Sequence, residues 1–196
     1  MTCEMLRLLE SAPPPSRPVY SGTPTAWNAV ECMLGSSLPS DYKWLIETYG
    51  SGDFCDLLLV LSPFAPSGGL NLVSQVNPIL EHYRFGGAGR CPFVTFPDAG
   101  GLLPVAQDTN GGDLFWLTEG APDDWHLVHF DWGGGWQYAR YSMGLVEFLV
   151  RWIDGHMPES FFGVGTDPRI VRRDPVFCPF GVVRPPRDPG SAVGLW

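Results

Sequence analysis

Three turn signals, Asn110-Gly111-Gly112, Gly120-Ala121-Pro122 and Gly133-Gly134-Gly135, cut the middle of the chain into runs no longer than a strand. No helix of ordinary length fits between them, so residues 93 to 141 are expected to form a β-meander. The expected strands are Leu102 to Gln107, Leu114 to Thr118, His126 to Asp131 and Trp136 to Arg140. On the third of these, Leu127, His129 and Asp131 share one face, and His126, Val128 and Phe130 share the other. Neither face is cleanly polar, which predicts a sheet covered in part on both sides. The same punctuation recurs outside the meander, with 24 Gly and 20 Pro in 196 residues, and it argues against a helical bundle.

Around this meander the apolar spacing changes to three and four. Thr23 caps and Pro24 opens a helix carrying Trp27, Val30 and Leu34, stopped by Gly35. A second helix starts at Pro39, buries Tyr42, Leu45, Ile46 and Tyr49, and ends at Gly50; Asp41 lies in its first turn, where the helix dipole favours an anion. Leu57 to Leu61 is a continuous apolar run of strand length. Asn71 to Tyr83 predicts a third helix, with Pro78 kinking it or opening a new turn. Ser142 is the expected cap of a last helix with Leu145, Phe148, Leu149 and Trp152 inward and Gly155 as its stop. The expected class is α+β. Residues 1–22 are expected as a flexible proline-rich arm, because Pro13, Pro14, Pro15 and Pro18 interrupt any helix begun at Met5. Residues 23–155 form the domain. Residues 156–196 are an extended tail whose Phe161, Phe162, Phe177 and Phe180 pack partly on it.

The segment Leu38-Pro39-Ser40-Asp41-Tyr42-Lys43-Trp44-Leu45-Ile46, followed by Tyr49-Gly50-Ser51-Gly52, resembles the signature of the SUKH superfamily, the SMI/KNR-like proteins. The order agrees as well. A Trp-containing helix precedes the segment; Gly112-Asp113-Leu114-Phe115-Trp116, Trp125-His126-Leu127-Val128, Trp136 and Leu145-Val146-Glu147-Phe148-Leu149 follow it. The resemblance spans about residues 23 to 155 and implies an SMI/KNR-like (SUKH) fold, a mainly antiparallel sheet packed with helices. It further implies a binding protein and no enzyme. Many bacterial members look like immunity proteins that neutralise toxin domains, and eukaryotic members are similar to signalling regulators. The proline-rich start and the long tail depart from the common pattern.

Charge bears on the partner. Formal net charge is -9, which repels phosphate backbones, so direct nucleic-acid binding is not expected; the charge favours a basic partner, which the resemblance would make a toxin domain, or simply keeps the protein soluble. Between Cys91 and Ala139 stand seven acids, Asp98, Asp108, Asp113, Glu119, Asp123, Asp124 and Asp131, with no Lys or Arg. Trp116, Trp125, Trp132 and Trp136 interleave with them. Aromatic anchors rimmed by charge are the composition of a binding surface, and these eleven residues are the candidate protein-binding set. A second reading stands beside it, in which the acids are a solvated loop face and the Trp side chains fill the core. In the tail, Arg169, Arg172 and Arg173 form a basic cluster that offsets the acidity of the domain.

Catalytic and metal readings fare worse. His129 and Asp131 share a strand face while His126 faces away, which falls short of the three or four ligands zinc takes. The five Cys are scattered, with no CxxC pair and no disulfide framework implied. Gly-x-Ser-x-Gly is absent, and Gly133-Gly134-Gly135 lacks the Lys and hydroxyl of a phosphate loop. No catalytic residue, metal or cofactor is expected. The N-terminus lacks the pattern of a secretory signal and Leu57 to Leu61 is far too short to span a bilayer, so the expected location is the cytoplasm, away from membranes.

Overall fold

The computed structural model describes residues 1–66, 68–86, 92–131, 137–157 and 176–183. Its centre is an antiparallel sheet of seven strands in the order β6-β5-β4-β3-β2-β1-β7. The strands are β1 (Gly52–Phe54), β2 (Leu58–Val60), β3 (Leu102–Asp108), β4 (Asp113–Leu117), β5 (His126–Asp131), β6 (Gln137–Tyr141) and β7 (Phe177–Pro179). From β3 to β6 the chain runs as the meander its turn residues imply. Leu102 pairs with Leu117, Leu117 with His126, and Leu127 with Tyr141. The apolar run at Leu57 to Leu61 becomes β2, between β1 and β3, with Leu58, Val60 and Leu61 buried. The short strands β1 and β7 carry too little pattern to be read in advance. They exist because Phe54 and Phe177 pack on each other and on Tyr49 while their backbones pair.

Helices cover both faces of the sheet. Helix α4 (Leu72–Gly86) lies on one, where Tyr83 meets Phe115 edge-on at 5.8 Å and Phe130 at 5.3 Å. Asn71 caps it by accepting from Ser74 N–H at 3.0 Å, and Pro78 is carried inside the helix. On the other face lie α3 (Ser40–Tyr49) and α5 (Leu145–Ile153), with Tyr42 against Trp116 at 4.9 Å and Phe148 against Tyr141 at 5.2 Å. Seven of the nine α5 residues are buried, and each large apolar side chain there contributes about 1.5 to 3 kcal/mol on leaving water. Helix α2 (Pro24–Leu34) begins as its sequence implies: Thr23 Oγ1 accepts from Ala26 N–H, Pro24 sits at the first position, and Gly35 takes the left-handed cap at φ 69°. Trp27 packs on Tyr42 and Phe64.

Two expectations change. The first segment is no loose arm. Residues Cys3–Ser11 form helix α1, capped by Thr2, with Met5 and Leu8 buried, and α1 packs against α5. Tyr49 O–H donates to the Ala12 carbonyl at 2.7 Å, which anchors the chain just before its prolines. Prolines end a helix; they do not prevent the piece before them from docking. The second change is the start of α5. Its N-cap is Gly144, not Ser142, and the capping carboxylate comes from another helix: Asp41 of α3 accepts from Val146 N–H at 3.0 Å. A Cβ at Gly144 would stand 2.8 Å from that carboxylate oxygen, so glycine leaves room for the cross-helix cap. The predicted tail residues Phe161 and Phe162 and the cluster Arg169, Arg172 and Arg173 lie outside the described residues.

Candidate protein-binding surface

Antiparallel pairing sorts the seven acids to opposite ends of the meander. Asp98, Glu119, Asp123 and Asp124 lie where β3 starts and β4 finishes, whereas Asp108, Asp113 and Asp131 lie where β3 finishes and β4 starts. A seven-residue strand separates those ends by about 20 Å. The continuous acidic stretch of the sequence is therefore two separate places.

At the first end, Asp98, Glu119, Asp123 and Asp124 are exposed. The turn between β4 and β5 is shaped by Trp125, which is buried, packs on Trp116 and donates its indole N–H to the Gly120 carbonyl at 3.4 Å. That pin drives the 3-10 turn Pro122–Asp124 outward. Trp116 is 0% exposed and Trp125 4%, so both belong to the core, a correction to their reading as anchors for a partner. A tryptophan offers some 200 Å² of apolar surface, and the underside of a tight turn is where a small domain can hide it. Asp123 also has a partner within the chain. Its Oδ1 accepts from Ser40 N–H at 2.6 Å and caps α3, whose own Pro39 has no side-chain acceptor. Asp123 and Asp41 thus make a relay of caps, from turn to α3 and from α3 to α5. Burial pushes the Asp41 carboxyl above its ordinary value, nearby Asp123 adds to the rise, and the N–H groups of Val146, Tyr42 and Leu145 oppose it.

Beside these acids runs a groove of about 420 Å³ on the α4 face of the sheet, lined by Phe93, Val94, Leu117, Glu119, Tyr138 and Arg140 among others. Val94 and Tyr138 are 53% and 45% exposed. The Arg140 guanidinium stands 5.7 Å from the Phe93 ring centre and 3.7 Å from Glu119. Both charges of that pair are well solvated, so the pair itself contributes little. The groove was not legible in the sequence, because Phe93 and Val94 reach it from a loop; only the alternation of Tyr138 and Arg140 along β6 hinted at a shared face.

At the second end the acids are inside. Asp108 Oδ2 lies 2.8 Å from His129 Nε2, and Oδ1 accepts from the N–H groups of Asn110 and Gly112 at 2.7 and 3.0 Å. Burial pushes the Asp108 carboxyl up, and the hydrogen bonds and charge supplied by His129 and the turn outweigh it and hold it below its ordinary value. Asp113 is also buried and accepts from the Gln107 amide at 2.9 Å. Asp108 and Asp113 are therefore corrected from partner-steering acids to groups that close the β3–β4 turn. Asp131 is half-buried, and Trp132 and Trp136 lie outside the described residues. A cleft of about 320 Å³ runs from this turn to Gln75, Ile79 and His82 of α4; none of the described residues lining it is Ser, Thr or Cys. Among the described residues no group of three or more His, Cys, Asp or Glu is placed to hold a metal, and no helix is long and apolar enough to cross a membrane. Comparison with family models, curated proteins and solved structures returns no match.

Proposed function

We propose that this chain is a protein-binding module of the SMI/KNR-like (SUKH) type, acting as an immunity-type protein that binds and neutralises a toxin domain in the producing cell. One observation carries the binding reading. The exposed acids Asp98 and Glu119 border an open groove with exposed Val94 and Tyr138, at one end of a chain of net charge -9. Acids in solvent speed encounter with a basic partner, and apolar groups that become buried set the lifetime of the complex. The order of motifs along the chain supports the SMI/KNR-like assignment, and an α+β domain with an antiparallel sheet between helices is compatible with it.

The test is photocrosslinking in the native cells. A photoreactive amino acid is placed at 98, 119 or 124, with position 110 at the far end of the sheet as control. One protein joined at the first three positions and absent at the fourth supports the reading, provided that its expression alone arrests growth and co-expression of this chain restores it. A partner joined without growth arrest turns the reading to a regulatory module. A partner joined only at 110 refutes the surface.

A further inference from the structure

Among the described residues the sheet ends on one side in β7 and on the other in β6, and the two edges are built differently. Strand β7 has three residues and finishes in Pro179, which has no N–H to offer, the kind of edge that resists pairing. Strand β6 has five, paired through its full length with β5 from Asp131–Gln137 to Leu127–Tyr141, with no Pro and Arg140 as its one charge. Alternate residues of such a strand turn N–H and C=O away from the sheet, and no strand among the described residues takes them up. On the α4 face of this edge lies the groove of Phe93, Val94, Leu117 and Tyr138.

We propose that β6 receives an extended segment of the partner protein as an added strand, an apolar side chain of that segment entering the groove between flanking Lys or Arg. The proposal rests on the partner-binding reading above and names how the partner is held. Strand addition draws affinity from main-chain hydrogen bonds and selectivity from pockets for alternate side chains. Here the pocket and the edge adjoin, since Tyr138 belongs to both. Charge selects the occupant. Asp98 is exposed, and Glu119 lines the groove with Arg140 3.7 Å from it, so the local balance is one net negative charge, which favours a basic segment over an acidic one. A second copy of this chain would bring another -9 to the same edge, which disfavours pairing of β6 with itself.

The test is an amide NMR titration of the full chain with a synthetic octapeptide alternating Lys with Val and Phe. Its controls are the same peptide with Glu for Lys, and with alternate residues N-methylated on one edge or on the other. Saturable shifts are expected at β6, Phe93 and Val94, with no binding of the Glu peptide and at least tenfold weaker binding of one N-methylated peptide. Val94→Lys and Tyr138→Lys, at positions 53% and 45% exposed, should each weaken the Lys peptide by about tenfold, with melting curves showing that the fold is kept. Four results overturn the proposal: no shifts at millimolar peptide, shifts confined to scattered acids, equal binding of both N-methylated peptides, or outward amides of β6 already protected from exchange. The last would show that this chain, or a second copy, covers the edge itself; light scattering separates those two. A captured partner that binds Val94→Lys and Tyr138→Lys as tightly as the unaltered chain refutes strand addition and leaves partner binding standing. Peptide taken up at β6 with no partner captured does the reverse.

Discussion

At one end of the meander Asp98, Glu119 and Asp124 stand in solvent, and at the other Asp108 and Asp113 are buried and hydrogen-bonded from inside the chain. The residue type is nearly the same and the sequence spacing is similar. The difference lies in what each turn wraps around. The β4–β5 turn closes over a tryptophan and keeps its acids outside, whereas the β3–β4 turn closes over a carboxylate. Asp108 holds the turn through the N–H groups of Asn110 and Gly112, as a side chain standing in for backbone. Asp98 and Asp124 at the first end face solvent, and Asp108 and Asp113 at the second are part of the fold.

Substitutions at the two ends should separate these roles, and the largest effect is expected at Asp108. Asp108→Ala removes the carboxylate that the buried His129 ring and Gly112 N–H meet, and the more exposed Asn110 N–H with them, which should cost about 3 to 5 kcal/mol in urea unfolding. The pH dependence follows from the lowered pKa. As the pH falls, the unfolded chain takes up a proton at this carboxyl before the folded chain does. The stability it supplies is complete above the ordinary aspartate range and is lost as the pH drops through the folded value. Asp108→Asn should therefore flatten the acid limb of the stability curve. An unchanged limb would place the acid sensitivity elsewhere.

Gly112→Ala comes next. A Cβ there would overlap Asp108 Oδ2 and stand 2.7 Å from His129 Nε2 and 2.9 Å from the Phe130 carbonyl, a loss of about 1 to 3 kcal/mol by overpacking. Gly111→Ala, where the added Cβ meets nothing but φ is 91°, measures backbone strain alone, a cost that Gly112 does not carry. No loss in Gly112→Ala would mean that the buried pair tolerates the methyl group.

Asp123 crosses the division, being exposed and yet a cap. Asp123→Ala should cost about 1 kcal/mol, seen as a lower melting temperature, while Asp124→Ala stays within about 0.5 kcal/mol. Asp41 behaves in the opposite sense to Asp108. Its folded pKa is raised, so its contribution to stability grows as the pH falls through that value. Asp41→Asn keeps an oxygen for Val146 N–H and should remove that gain, leaving a flatter curve just above the ordinary aspartate range. The smallest effect on stability is expected for Asp98→Lys with Asp124→Lys. Melting should not move, while association with a captured basic partner slows and loses its salt dependence in surface plasmon resonance. Unaltered association rates would remove the exposed end from the interface.

Much of the architecture was legible locally. The turn triplets punctuate β3 to β6, and the period of three and four in Trp27-Val30-Leu34 and Tyr42-Leu45-Ile46-Tyr49 marks α2 and α3. These signals lie within a few residues of what they specify, because a turn needs its own glycine and an amphipathic helix its own stripe. The site was legible only as composition. Whether an acid caps α3, as Asp123 does, caps α5, as Asp41 does, or pairs with His129, as Asp108 does, depends on residues 83, 105 and 21 positions away. Nor does any local pattern tell a Trp that pins a turn from one on a surface, since Trp125 and Trp132 alike are large, apolar and preceded by an aspartate. Sequence alone determined an acidic α+β chain with a meander at its centre. Which carboxylates it spends on its own helix ends and turns was decided when distant backbone N–H groups came within about 3 Å of them or failed to.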